Sequence, residues 1–310
     1  NMMLHVSIVL MLTIASASYN CPNVALRGKA TQSDQYNSEY SAAYNAIDGN
    51  RDSNYNHGSC AVTKQQINPW WRVDLLEPYI ITSITITNRG DCCPERLNGA
   101  EIHVGNSLLG DGNYNPLVAV IQHIPAGQFQ TITFTSRVKG RYVNVLLRGN
   151  RLLTVCEVEV YGYRAPTGEN LALKGKASQS SIYEYYFASN AIDGNRDGNF
   201  AKGSCACTAS ELNPWWRLDL GTTHRIFSVS VTNRDAVPER INGAEILIGD
   251  SSDNNGNNNP RCAVIPTIAG GFTRSFECNG MDGRYVNIVL AGRTEYLTLC
   301  EVEVYGSVLD

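Results

Sequence analysis

A chain of 310 residues has room for about two domains, each large enough to bury its own core. Its composition, 43% hydrophobic and 17% charged, is that of a folded protein, and a formal net charge of -4 offers no basic field, which excludes nucleic acid as a partner. Five histidines, with no metalloprotease or nucleophile-elbow signature, argue against an enzyme.

In chain order the first feature is an apolar run, residues 6–14, closed by Ala15, Ser16 and Ala17 in the small-residue spacing of a signal-peptidase site. Residues 1–18 are therefore expected to be a signal peptide, and the mature chain to be secreted and extracellular. No later stretch reaches the roughly 18 apolar residues of a membrane helix. Ten cysteines suit an oxidising compartment.

Beyond residue 19 the chain repeats itself. Residues 23–33 recur as 170–180, 45–52 as 190–197, 68–72 as 213–217 and 156–162 as 300–306. A period of about 145 residues is too long for a solenoid unit, so it marks domain duplication. The boundaries that follow are a first domain at 19–163, a linker at 164–169 carrying Pro166 and Gly168, and a second domain at 170–310. So short a linker predicts a restricted domain orientation. Within the first copy, residues 80–87, 131–135, 142–147 and 155–161 alternate apolar and polar, and Asn, Gly and Pro punctuate them. That pattern predicts an all-β chain of two tandem antiparallel β-sandwich domains of jelly-roll type. Trp70, Trp71, Trp215 and Trp216 lie in strand positions, so at least one of each pair is expected in the core rather than on a ligand.

The run from Trp70 to Leu75, followed by a strand and then by residues 88–96, resembles the F-type lectin (fucolectin) family of fish serum in its tandem, two-domain form. The Trp-Trp-Arg run and the terminal residues 157–162 are shared more widely with discoidin-like jelly rolls. The narrower signal is the family's sugar motif, a histidine well ahead of an Arg-x-Asp-x4-Arg run. Arg89, Asp91 and Arg96 fit the run, but Val62 occupies the histidine position. In the second domain Arg234 and Arg240 correspond, one residue is deleted between them, Ala236 replaces the aspartate and Cys207 the histidine.

The resemblance implies that each arginine pair donates hydrogen bonds to fucose, which suits guanidinium as a set of fixed donors. It also implies that a vicinal disulfide between Cys92 and Cys93 offers the sugar an apolar surface. The implied sugar sites are Arg89, Arg96, Cys92, Cys93 and Val62, and Arg234, Arg240 and Cys207. For any single arginine, the plain alternative is a solvated loop residue or a carboxylate partner. Loss of one polar partner costs about 1 to 3 kcal/mol, roughly ten- to a hundredfold in affinity. His57 could substitute for the missing histidine, although an exposed loop role is the expectation for it. Cys60 with Cys156 and Cys205 with Cys300 occupy equivalent positions of the two copies, and Cys262 with Cys278 form a further pair. Cys21 and Cys207 are left over: free, joined to each other, or bridging two chains into a homo-oligomer.

The resemblance further implies a structural Ca2+ in each domain, pinning the loops beside the sugar. Its residues would be Asn45, Asp48, Asn50, Ser59, Cys156 and Glu157, repeated as Asn190, Asp193, Asn195, Ser204, Cys300 and Glu301. Oxygen donors with two carboxylates suit a hard cation, while Asp-Gly and Asn are also ordinary turn formers. The expected function is a secreted, calcium-containing lectin for fucosylated glycans on cell or microbial surfaces, agglutinating microbes or recognising them in innate defence, and meeting membranes only through those glycans. The alternatives are a sandwich that binds another glycan or a phospholipid surface, or a scaffold that has lost sugar binding. Polar loops at 111–115 and 253–259 favour sugar over lipid.

Overall fold

The computed structural model describes residues 21–37 and 40–309; the expected signal peptide lies outside the described residues. The first domain is built on six strands: β1 (Lys29–Gln32), β2 (Trp70–Thr87), β3 (Glu101–Gly105), β4 (Leu117–Val120), β5 (Phe129–Leu146) and β6 (Glu157–Arg164). They hydrogen-bond antiparallel in the order β1-β2-β5-β3-β4, with β6 also on β2. The second domain repeats this with β7 (Lys176–Gln179), β8 (Trp215–Thr232), β9 (Glu245–Gly249), β10 (Arg261–Val264), β11 (Thr273–Val289) and β12 (Glu301–Val308). Helical segments among the described residues are 3-10 turns of three to five residues. The predicted all-β class and tandem sandwich are what the chain adopts.

The long strand β2 serves both layers. Residues 71–74 pair with β1 and residues 70–74 with the end of β5, residues 79–87 pair with β6 and with β5 ahead of that end, and the register breaks between Asp74 and Tyr79. Alternation along it turns Trp71, Val73 and Leu75 inward before the break and Ile84 and Ile86 after it, all buried. The fully buried Trp71 donates its indole N–H to the Ala43 carbonyl at 2.9 Å, and Trp216 donates to Ala188 at 3.0 Å. One tryptophan of each pair is therefore core. The other is half-buried and lies under an arginine, Arg72 on Trp70 and Arg217 on Trp215.

The first strand system runs slightly further than the sequence indicated. Arg164 still pairs with Tyr79, and Ala165 N–H donates to the Pro78 carbonyl at 2.9 Å, so the connector is shorter than 164–169. The domains then interleave side chains. Arg225 lies 4.4 Å from the Tyr163 ring centre, Tyr163 packs 6.4 Å from Phe227, and Arg137 covers Phe227 at 4.7 Å. Asp282 holds Arg225 through two hydrogen bonds of 2.8 Å. A short connector and this alternating stack together restrict the orientation of the two sandwiches.

Candidate functional site

The arginine loop of the first domain begins where β2 ends. Buried Asn88 clamps it: its side-chain amide donates to the carbonyls of Pro94 and Ile124 at 3.0 and 2.7 Å, and its oxygen accepts from Arg89 N–H at 2.9 Å. Gly90 is required by close approach, since a Cβ there would lie 2.5 Å from Ser53 Oγ. Cys92 and Cys93 form the vicinal disulfide, with Cys93 in the left-handed region at φ 59°. A 3-10 turn at Pro94–Leu97 then brings Arg96 back beside Arg89.

Arg89 is oriented before any ligand arrives. Its Nε and Nη2 donate to the two Asp91 carboxylate oxygens at 3.0 and 2.6 Å, and its guanidinium stacks 4.5 Å from the Tyr55 ring centre. Hydrogen bonding from Arg89 holds the Asp91 carboxyl down at about 2, and the Tyr55 backbone N–H adds to this at 2.8 Å. Arg89, Arg96 and Cys92 line a pocket of about 230 Å³ together with Val62, Leu152, Tyr36 and Tyr55. Val62 is 2% exposed and belongs to the pocket wall. His57 does not take its place. It stands outside that lining, tied to Asp52 at 2.7 Å and to Asn54 at 3.3 Å, as an exposed loop histidine. The sequence motif missed Tyr36, Tyr55 and Leu152, which no local spacing connects to the arginines.

The second domain rebuilds the scaffold and changes its lining. Asn233 makes the same clamp to Pro238, Ile268 and Arg234, and a turn at Pro238–Ile241 returns Arg240. Val237 takes the place of Cys93 at φ 46°. Arg234 stacks 3.9 Å from the Phe200 ring centre, while Arg240 lies 4.9 Å from that of Tyr296 and 3.5 Å from Glu295. Tyr186, Phe200, Tyr183 and Tyr296 form a continuous aromatic wall, with Tyr186 and Phe200 stacked at 4.0 Å. Cys207 occupies the place of Val62 as a free thiol, 1% exposed and 3.2 Å from Thr298 Oγ1; burial pushes its pKa up. Cys21 is the other free thiol among the described residues; Cys60–Cys156 and Cys205–Cys300 pair as the repeat indicated, and Cys262–Cys278 form the further pair expected within the second domain.

Behind each arginine loop lies an oxygen-rich turn. In the first, Asp48 accepts from Asn50 N–H at 2.8 Å, Asn45 donates to the Tyr40 and Cys60 carbonyls at 3.2 Å, and Ser59 Oγ donates to the Asn54 carbonyl at 3.0 Å. Glu157 is completely buried. One of its oxygens accepts from Gly49 N–H at 3.0 Å, and the other has no partner. Burial, reinforced by Asp48 and Glu159, pushes its carboxyl up to about 8. Glu301 repeats this: Gly194 N–H at 3.1 Å, one orphaned oxygen, and a carboxyl at about 8 through burial and Asp193. There Asp193 accepts from Asn195 N–H at 2.8 Å, Asn190 donates to the Gly203 and Cys205 carbonyls, and Ser204 Oγ donates to the Asp197 carbonyl. A buried carboxylate oxygen without a donor is chemically suited to a hard cation. Cys156 and Cys300 have their sulfurs in disulfides, which leaves only main-chain carbonyls as donors. No group of three or more His, Cys, Asp or Glu converges among the described residues, so carbonyls would complete any such shell.

One expectation about the loops needs correction. The 111–115 loop read as polar, yet its Tyr114 is 79% exposed, and just ahead of it Leu108 and Leu109 are 51% and 71% exposed, whereas the second domain has Asn258, Ser252 and Asp253 at these positions. The side chains stay outside because the buried contacts of this loop are made by Asn115, whose amide closes onto Ser107.

The sequence profile of the family described as NedA-like, galactose-binding domain matches residues 45–145 and 190–288. The chain is 54% identical to a fucolectin of Anguilla anguilla over 145 residues, 46% of this chain and 92% of that protein. It is 56% identical to fucolectin-4 of Anguilla japonica over 141 residues, 44% of this chain and 78% of that one. The crystal structure of an F-lectin (fucolectin) from Morone saxatilis serum superposes with a TM-score of 0.92 at 70% identity, covering 94% of this chain and 100% of that one. These relatives are lectins and not enzymes. Both halves carry the arginine loop on the matched sandwich, and the chain belongs to the fucolectin (F-type lectin) family in its two-domain form.

Proposed function

We propose that this protein is a secreted lectin whose first domain binds terminal fucose on glycans. The observation that carries this reading is the pocket itself. Arg89, held by Asp91, and Arg96 bring guanidinium donors to it, while Val62, Leu152, the tyrosines and Cys92 of the vicinal disulfide supply apolar lining. Hydroxyls and a ring oxygen match the first, and a deoxy sugar's methyl group and C–H face match the second. The fucolectin relatives point the same way, as does the serum source of one. A hard divalent cation, Ca2+ by its donor set, would sit against Glu157 and Asp48, and a second against Glu301 and Asp193, fixing the loops that carry the arginines. Two such domains on one chain raise avidity for surfaces dense in glycans, which fits agglutination of microbes.

The reading is tested on a glycan array with and without chelator. Fucosylated glycans are expected as the dominant hits, weakened by chelation; an array with no fucosylated hit above background overturns the assignment. Val62→His is expected to tighten L-fucose binding about tenfold, the worth of one restored hydrogen bond in a half-enclosed site. Titration calorimetry giving an unchanged affinity would mean that the wall already satisfies that hydroxyl.

A further inference from the structure

The two arginine loops form an internal comparison, because Asn88 and Asn233 clamp the same scaffold in each. They differ in one charge. In the first site Asp91 takes both outer donors of Arg89. In the second the loop is one residue shorter, Ala236 carries no carboxylate, and among the described residues no carboxylate lies within ion-pair distance of Arg234. Arg234 Nε is buried without a hydrogen-bond partner. The neighbouring acids are engaged elsewhere: Glu295 pairs with Arg240, and Asp235 is exposed and accepts from Ala236 N–H at 2.8 Å. Burial and the nearby Arg240 both disfavour the Arg234 charge, and this cation lacks the counter-ion that Asp91 supplies to Arg89 in the first domain.

We propose that the second site takes a glycan bearing its own anionic oxygen pair, a carboxylate or a sulfate, which replaces on Arg234 the contact that Asp91 makes with Arg89. This rests on reading the second domain as a glycan site. Guanidinium binds planar anionic groups through paired hydrogen bonds, and such bonds are about twice as strong as neutral ones. The aromatic wall of Tyr183, Tyr186, Phe200 and Tyr296 faces the same arginines, leaving the ligand a cationic edge and a stacking surface. The first domain, with Arg89 already neutralised, has no such preference.

The test uses the full chain with the first site silenced by Arg96→Ala, titrated with three probes: a neutral fucosylated trisaccharide, the same sugar carrying sialic acid, and the same sugar carrying a sulfate ester. The acidic probes are expected to bind about tenfold tighter than the neutral one, with the gap closing at high salt. Preference for sialic acid alone assigns a carboxylate, and equal preference assigns anionic oxygens generally. Ala236→Asp is expected to bring the probes to parity. The mirror variant, Asp91→Ala in a chain silenced at the second site by Arg240→Ala, is expected to give the first site the same acidic preference. Equal binding of neutral and acidic probes in the Arg96→Ala chain, or no binding of any, overturns the proposal. If the parent chain binds no fucosylated glycan while the Arg96→Ala chain still captures acidic glycans lacking fucose, the fucose reading fails and this inference stands.

Discussion

Arg89→Ala is expected to weaken fucose binding at the first site by about a hundredfold or more, so that calorimetric titration of the full chain loses that class of site. Two losses combine. Each charge-assisted hydrogen bond from the guanidinium to a sugar oxygen contributes about 1.5 to 3 kcal/mol. Removing it also strips Asp91 of the partner that holds its carboxyl at about 2, leaving an anion beside the pocket with only the Tyr55 N–H. The pH dependence has a defined sign. Because the folded-state value of Asp91 is depressed, its contribution to stability is present above its ordinary unfolded value near 4 and is lost as pH falls towards 2. The Arg89→Ala protein should therefore show a weaker acid-side loss of stability than its parent. Arg234→Ala serves as the control, since Arg234 leaves no carboxylate behind. An Arg89→Ala chain that keeps the parent's stoichiometry and affinity for L-fucose would falsify the assignment of Arg89 to the ligand.

The parts of this molecule that were legible in the sequence are those written locally or written twice. Alternation along residues 80–87 and 142–147 reports two-sided strands directly, and equivalent cysteines at 60 and 205 and at 156 and 300 report their pairing because the duplication supplies a second copy. The arginine loop was legible for the same reason: Arg89, Asp91 and Arg96 lie close together in one stretch of sequence. The pocket wall was not. Tyr36, Val62 and Leu152 meet only because a two-residue strand, Ala61–Val62, pairs with Thr154–Val155, and nothing in their spacing announces that contact. The interleaved stack of Arg225, Tyr163, Phe227 and Arg137 has no counterpart within either repeat, so self-comparison could not find it. Charge balance also escaped the motif. Deletion of one residue beside Ala236 reads as a small departure in sequence, yet it leaves Arg234 Nε buried without an acceptor.

Chelation is expected to lower the melting temperature of the protein, and the drop is expected to grow as pH rises from about 5.5 to 8.5. Without a cation, Glu157 and Glu301 are acids whose burial raises them to about 8. For a group raised in the folded state, stability is fully present below the unfolded value near 4.5 and is lost as pH climbs through about 8, because the buried carboxylates must then ionise beside Asp48 and Asp193. A bound divalent cation reverses the balance, since it needs the ionised form and compensates its charge. The loaded protein should thus hold a nearly flat melting temperature across the range while the stripped protein declines. Saturation at about a thousand times Kd stabilises a domain by about 4 kcal/mol, enough for a clear separation in a thermal scan. Glu157→Gln and Glu301→Gln keep the shape and the acceptor for the Gly49 and Gly194 N–H groups while removing the charge. Each should flatten the stripped protein's pH profile for its own domain and abolish that domain's response to Ca2+. Equal melting temperatures with and without chelator at pH 8, or a gap that narrows as pH rises, would remove the cation from both turns and leave Glu157 and Glu301 as protonated buried acids, hydrogen-bonded to the loop through a single oxygen.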